Sequence, residues 1–183
     1  MIFEACHIPE IVKIQPRAHS DERGYFVELF RDDLFKANVG NISFVQHNQS
    51  LSRIAGTVRG LHYQDAPAGQ GKLVRCVEGA ILDVAVDIRP ASPTFGQHVA
   101  MELTAENKTE LWIPEVFAHG FCTLVPDTVV WYAVTHLYSP DHDRGLMWND
   151  PALGIRWPVE AGQATVSEKD AHQPAFETLA RNG

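Results

Sequence analysis

Short runs rich in Val, Ile, Leu, Phe, Tyr and Trp follow one another from Ile42 to Thr135, separated by Gly, Pro, Asn and Asp. Their composition and near-alternation predict strands over Ile42–His47, Gly56–Gln64, Lys72–Val77, Ile81–Ile88, Gln97–Leu103, Glu110–Ile113, Gly120–Leu124 and Thr128–Thr135. Before them, Ile11–Gln15 reads as an edge strand, Asp21–Gly24 as a turn and Tyr25–Phe30 as a second strand. Asp32–Ala37 opens on two acids and carries a Leu-Phe pair, which predicts one or two helical turns closed by Asn38 and Gly40. Beyond Tyr138 the pattern gives way to Pro- and Trp-marked irregular chain through Pro158, expected to wrap the outside, with weak helical turns near Ala171–Arg181. No helical crossover separates the strands. The expected fold is therefore all-β: an antiparallel barrel or sandwich of the jelly-roll kind with a few short peripheral helices.

Composition narrows the class. At 183 residues, 45% hydrophobic and 21% charged, the chain is expected to form one domain over 1–183 with a sizeable core. No apolar run approaches the length of a membrane span, and the N-terminus, with Glu4 and His7, has no secretory signal, so a cytoplasmic protein without a membrane partner is expected. Cys6, Cys76 and Cys122 are odd in number and far apart, which argues for buried thiols over a disulfide framework or a zinc site. A net charge of −8 with only 15 Lys and Arg argues against nucleic acid as a partner, yet leaves enough basic residues to hold one small anion.

The stretch Gly56–Gln64 is where chemistry enters. It sets Arg59 and His62 among glycine and strand formers, and a barrel of this size holds a ligand between its sheets, so inward-facing side chains decide function. Strict alternation puts Val58, Gly60, His62 and Gln64 on one face and Arg59, Leu61 and Tyr63 on the other. Arg59 and His62 serve one pocket only if the strand bulges, and Gly60 between them is the position where a bulge is cheapest. A metal is not expected. Gln64 stands where a metal-binding barrel would carry the second His of a His-x-His pair, and His62 and His119 alone are too few ligands.

Several blocks, in order, carry a family resemblance: Asp21–Phe26, Val45–Ser50, Arg59–Gln64, Gln70–Arg75, Asp83–Arg89, Leu111–Pro114 with Ala118–Phe121, Tyr132, and Trp148–Pro151. Over about residues 20–170 the chain resembles the dTDP-4-dehydrorhamnose 3,5-epimerases, sugar-nucleotide epimerases of the cupin superfamily. The resemblance implies a jelly roll, free of metal and cofactor, acting on a dTDP-4-keto-6-deoxyhexose in dTDP-L-rhamnose synthesis. It implies a homodimer in which strands near residues 20–30 exchange and complete the partner's pocket. The chemistry suits the residues. A C–H beside a ketone can be removed by a neutral imidazole if the enolate oxygen is stabilised, and inversion needs a separate acid on the other face.

By this match His62 is the base, Asp170 the carboxylate that orients it, Tyr132 the acid and Lys72 the group near the keto oxygen. Arg23 and Arg59 match diphosphate ligands, and Gln46 and Asn48 match residues near the thymine. Glu28, His119, Asp143 and Lys169 match further substrate contacts, while Phe26 and Tyr138 offer flat surfaces for a sugar or base. Family members often read Gln-Asp-Asn-His-Ser where this chain has Gln46-His47-Asn48-Gln49-Ser50, have Lys where Ala133 stands, and more usually have Glu at Asp143. These departures bear on nucleotide preference and on whether one centre or both are inverted. Two alternatives to double inversion follow: a single-centre epimerase at C3 or C5, and a sugar-nucleotide-binding barrel without turnover, which would need neither His62 nor Tyr132.

Overall fold

The computed structural model describes residues 1–180 and consists mainly of antiparallel strands. Strands β1 (Ile2–Ala5), β2 (Val12–Gln15), β5 (Gln46–Ser52), β7 (Lys72–Glu78), β10 (Glu110–Ile113) and β12 (Thr128–Val134) form a six-stranded sheet in the order β1-β2-β10-β7-β12-β5. Strands β6 (Val58–Gln64), β8 (Ala80–Asp87), β9 (His98–Thr104), β11 (Phe117–Thr123) and β13 (Asp143–Gly145) form a five-stranded sheet in the order β13-β6-β11-β8-β9. A hairpin of β3 (Ala18–Asp21) and β4 (Gly24–Val27) pairs with neither sheet. The two sheets face one another as a jelly roll, the expected fold.

Alternation decides what each face meets. Ile81 and Ala85 of the five-stranded sheet, with Val99, Leu103, Phe117 and Phe121, meet Val74, Cys76, Leu111, Ile113 and Val130 of the six-stranded sheet to make the apolar part of the interior. Removing each fully buried Leu, Ile or Phe side chain from water contributes about 1.5–3 kcal/mol. The outer faces are also covered. Helix α1 (Asp32–Asn38) sets Phe35 against Val12, Ile14, Leu73 and Trp112 on the six-stranded sheet. The chain beyond residue 145 packs Leu146, Leu153 and Phe176 onto Leu61, Val84, Val86 and Ala118 of the five-stranded sheet, as expected for a wrapping segment.

The differences from the sequence reading are local. A strand was expected over Ile42–His47, whereas β5 runs over Gln46–Ser52. Ile42 and Phe44 are instead packed with α1 in the outer cluster, and the true strand carries polar side chains inward, which hides it from a hydrophobic pattern. Strand β11 begins at Phe117, ahead of the expected Gly120, and β1 and β3 were not foreseen. The three-residue β13 lies in chain read as irregular; its length is too short for alternation to register. Helices α2 (Glu168–Ala171) and α3 (Glu177–Ala180) occupy the region of the weak helical turns, with the expected end, Arg181, outside the described residues. No helix among the described residues is long and apolar enough to cross a membrane.

Candidate active site

One end of the interior is polar and open. There a hollow of about 730 Å³ lies between the sheets. Strand β6 supplies its centre through a register shift: His62 pairs with His119 and Arg59 with Phe121, so three steps along β6 match two along β11. The extra residue falls at Gly60–Leu61, where Gly60 takes φ +109°. Alternation is reset there. Arg59 and His62 both line the hollow, while Leu61 joins the outer apolar cluster. Only glycine fits this bulge, since a Cβ on residue 60 would lie 2.6 Å from the His119 carbonyl oxygen and 2.7 Å from Gly120 Cα.

Asp170 reaches this strand from 108 residues away, its Oδ1 2.6 Å from His62 Nε2. It is 3% exposed. Ser167 caps α2 by accepting the Asp170 N–H at 3.1 Å, and Asp170 Oδ2 accepts the N–H of Gly60 at 3.3 Å, so one carboxylate serves both the bulge and the imidazole. Burial pushes the Asp170 carboxyl up, but the hydrogen bond to His62, with those of Gly60 and Ser167, outweighs it and holds the carboxyl below its ordinary range. An ionised Asp170 takes the proton on Nε2 as a hydrogen bond. Nδ1 is then the basic nitrogen of a neutral ring.

The facing wall comes from the six-stranded sheet. Tyr132 on β12 and Lys72 on β7 line the hollow. Burial raises the Tyr132 phenol, against a smaller opposing effect of Arg59, so it keeps its proton. Lys72 is 6% exposed, its Nζ 3.5 Å from the Gln70 carbonyl oxygen. Burial pushes its ammonium down to about 8, opposed by the charges of Asp143 and Asp83, which leaves it mostly protonated at neutral pH.

At the rim Arg59 is held by Ser52 Oγ at 3.1 Å and the Leu51 carbonyl oxygen at 3.2 Å. Gln46 donates to Asn48 at 2.8 Å and accepts the Tyr138 N–H at 3.0 Å; the Tyr138 hydroxyl donates to Asp143 at 2.9 Å, and Lys169 is bonded to the same carboxylate oxygen. His119 is bonded to Asp83 through Nε2 at 2.8 Å. Of the residues matched from sequence, His62, Tyr132, Asp170, Lys72, Gln46, Asn48, Arg59, His119, Tyr138, Asp143 and Lys169 line this one hollow.

Arg23, Phe26 and Glu28 do not line it. They belong to the unattached hairpin and the chain just after it: Arg23 is paired with Asp21 and 89% exposed in its side chain, Phe26 is 71% exposed, and Glu28 lies 4.0 Å from Arg31. Of the departures from the family pattern, Asp143 lines the hollow and the others lie elsewhere. His47 and Ala133 line a separate cavity on the outer face of the six-stranded sheet, and Gln49 shares the orientation of His47 by alternation. Gln64 is a structural tie: its amide donates to Ala68 O at 2.6 Å and Leu137 O at 3.2 Å and accepts the Ser139 N–H at 2.8 Å. Among the described residues, no group of three or more His, Cys, Asp or Glu is arranged to hold a metal ion.

Sequence reasoning left out Ser50, Gln70, Phe121, Thr165 and Ser167, all on the lining. Ser50 follows from Gln46 and Asn48 by alternation, and Ser167 with Asp170 three residues on is a helix-capping pattern, so both were within reach. Thr165 carries no such signal.

A hollow whose walls present an oriented base, a protonated phenol and an ammonium is suited to moving protons on and off carbon, and with the jelly roll around it the class is that of a cupin-type epimerase. The chain belongs to the dTDP-4-dehydrorhamnose 3,5-epimerase family, whose sequence profile matches residues 5–178. It is 54% identical over 176 residues to the dTDP-4-dehydrorhamnose 3,5-epimerase of Sinorhizobium fredii, covering 96% of this chain and 90% of that one. Among solved structures it is similar to the Bacillus anthracis enzyme with TDP and pyrophosphate bound (TM-score 0.91, 43% identity, 95% and 99% of the two chains). It is also similar to the Legionella pneumophila enzyme in complex with dTDP-4-keto-L-rhamnose (TM-score 0.93, 40% identity, 99% and 95%).

Proposed function

We propose that this chain is a dTDP-4-dehydrorhamnose 3,5-epimerase that inverts C3 and C5 of dTDP-4-dehydro-6-deoxy-D-glucose, in the synthesis of dTDP-L-rhamnose, with all 183 residues acting as one domain. The observation that carries the reading is the 2.6 Å bond between His62 and the buried Asp170 on one wall of a hollow whose other wall holds Tyr132 and Lys72. His62 Nδ1 takes the proton from a carbon beside the C4 ketone, and the electron pair moves onto the ketone oxygen as an enolate. Lys72 stabilises that oxygen. Tyr132 returns a proton to the opposite face of the carbon, which inverts it, and the phenol and imidazole then re-equilibrate through water. Neither centre changes oxidation state, so the step needs no redox partner.

Arg59 takes the diphosphate, Gln46 and Asn48 the thymine, Tyr138 a flat face of base or sugar, and His119, Asp143 and Lys169 the remaining polar groups. Arg23, Phe26 and Glu28 act on the pocket of a second copy in a homodimer with strand exchange. Two features support this. The edge strand β5 exposes Leu51 at 41%, with Val45 and Ile54 just beyond its ends at 54% and 58%, and the β3–β4 hairpin pairs with no other strand among the described residues while exposing Tyr25 and Phe26. A two-stranded hairpin is marginal alone, and an open edge invites another strand. The free cysteines agree with a cytoplasmic location.

The test is incubation with the keto sugar nucleotide in deuterated water, counting exchanged carbons by NMR. Exchange at both C3 and C5 is the expected result; exchange at one carbon gives a single-centre epimerase, and at neither a binding barrel. His62→Ala is expected to abolish exchange at every position, and Tyr132→Phe to leave exchange at C3 while failing to release inverted product. Normal exchange in the His62→Ala protein overturns the assignment of the base.

A further inference from the structure

His119 lies directly across from His62 in the register of β11 and β6, and the two rings are held in the same way: each offers Nε2 to a buried carboxylate, Asp170 Oδ1 at 2.6 Å for His62 and Asp83 Oδ1 at 2.8 Å for His119. Asp83 does not line the hollow. It stands on β8 between Ile81 and Ala85, both interior core residues, and is 0% exposed. Its Oδ2 has no hydrogen-bond partner among the described residues. For stability alone this is a poor place for a carboxylate, since a buried charge with a single hydrogen bond is costly and an apolar residue would pack there without penalty.

We infer that Asp83 is a positioning residue of the epimerisation: it holds the His119 ring by Nε2, leaving Nδ1 as the nitrogen open to substrate. The inference rests on the epimerase reading above. With Nε2–H donated to Asp83, a neutral His119 presents a lone pair on Nδ1, an acceptor suited to a sugar hydroxyl. No other hydrogen bond holds that ring among the described residues. Lys72, buried and without a carboxylate in hydrogen-bond contact, loses its charge to burial unless nearby acids support it, and Asp143 and Asp83 are those acids. The other charged or titratable groups around the hollow are Arg59, His62 and Tyr63 on β6, Tyr132 on β12, Tyr138 after it, and Lys169 and Asp170 on α2. Asp83 thus keeps a fixed acceptor at the wall of the hollow, while touching no substrate atom itself.

The experiment is Asp83→Asn, which keeps size and an acceptor oxygen but removes the charge, with kcat, KM, thermal unfolding and the pH profile of kcat measured against the parent. Expected are a kcat lower by about tenfold or more, KM changed little, an alkaline limb moved to lower pH, and a Tm equal to or above that of the parent. A profile superimposable on the parent's with unchanged kcat overturns the inference, and so does a loss of activity that only follows a falling Tm. Should Asp83→Asn fail to fold, ¹⁵N NMR of the ligand-free parent decides: the His119 proton is expected on Nε2, its signal assigned by loss in His119→Gln, and a proton on Nδ1 alone with bare Nε2 overturns the proposal. If the parent itself exchanges no carbon-bound hydrogen, the epimerase reading fails by that separate measurement, while the tautomer still tests the role of Asp83.

Discussion

Between His62 and Asp170 two opposing effects meet on one carboxyl. Burial favours the neutral acid, while three hydrogen bonds favour the carboxylate, and the hydrogen bonds prevail. The sign has a consequence: a carboxyl held below its ordinary value adds stability above that value, and this stability is lost as pH falls through the lowered one. At neutral pH the charge is present and fixes the His62 tautomer. Asp170→Asn is therefore expected to fold, keep its affinity for the nucleotide, and lose about a hundredfold or more in kcat, because an amide can hold the ring in either tautomer and supports no imidazolium. Steady-state rates alongside nucleotide titration check this. A fall in affinity matching the fall in kcat would mean that Asp170 shapes the pocket without orienting the base.

The element that makes the site is the bulge in β6. A regular strand would turn either Arg59 or His62 away from the hollow, and the residue inserted against β11 at Gly60–Leu61 brings both inward. Gly60→Ala puts a methyl group 2.6 Å from the His119 carbonyl oxygen in a backbone conformation, φ +109°, that L residues avoid. A loss of about 1–3 kcal/mol is expected in denaturant unfolding, together with reduced turnover, since relief of the clash moves the strand that carries His62. A Tm and rate unchanged from the parent would show that the bulge tolerates a side chain. Alternation along Gly56–Gln64 exposed the conflict between Arg59 and His62 and pointed to Gly60 as its resolution. The same rule failed for β5, whose inward residues are Gln46, Asn48 and Ser50, because a strand that lines a polar hollow lacks the apolar face by which strands are recognised.

At the scale of the whole molecule, the hairpin that carries Arg23 and Phe26 pairs with neither sheet and does not line the hollow of its own chain, and a second copy is proposed to receive it. Strand exchange between copies has a direct test. Arg23→Ala and His62→Ala proteins, each impaired alone, are mixed under conditions that allow subunits to re-associate. A hybrid dimer then holds one hollow with both lesions and one with neither. With random exchange about a quarter of the hollows are intact, and activity is expected to recover to about a quarter of the parent level. No recovery, with hybrid dimers verified by mass, would place Arg23 in the hollow of its own chain or outside any hollow. The fold leaves room for variation elsewhere: His47, Gln49 and Ala133 depart from the family pattern on the outer face of the six-stranded sheet, behind Asn48 and Tyr132, so they vary without touching the inner wall directly.

The order of short strands without helical crossovers was enough to specify an antiparallel all-β chain, because apolar alternation and turn residues act over a few positions and are written locally. Family likeness then named the chemistry-bearing residues. What no local pattern carries is which of them meet. Asp170 bonds a ring 108 residues away only because α2 closes over β6, and Asp83 earns a place beside His119 only through the pairing of β8 with β11. The bulge at Gly60 is fixed by the register of β6 against its neighbour, and Arg23 is off the lining of the hollow because its hairpin joins neither sheet. These are long-range, cooperative contacts, satisfied when the whole chain packs, and they turned a set of suitable side chains into one site.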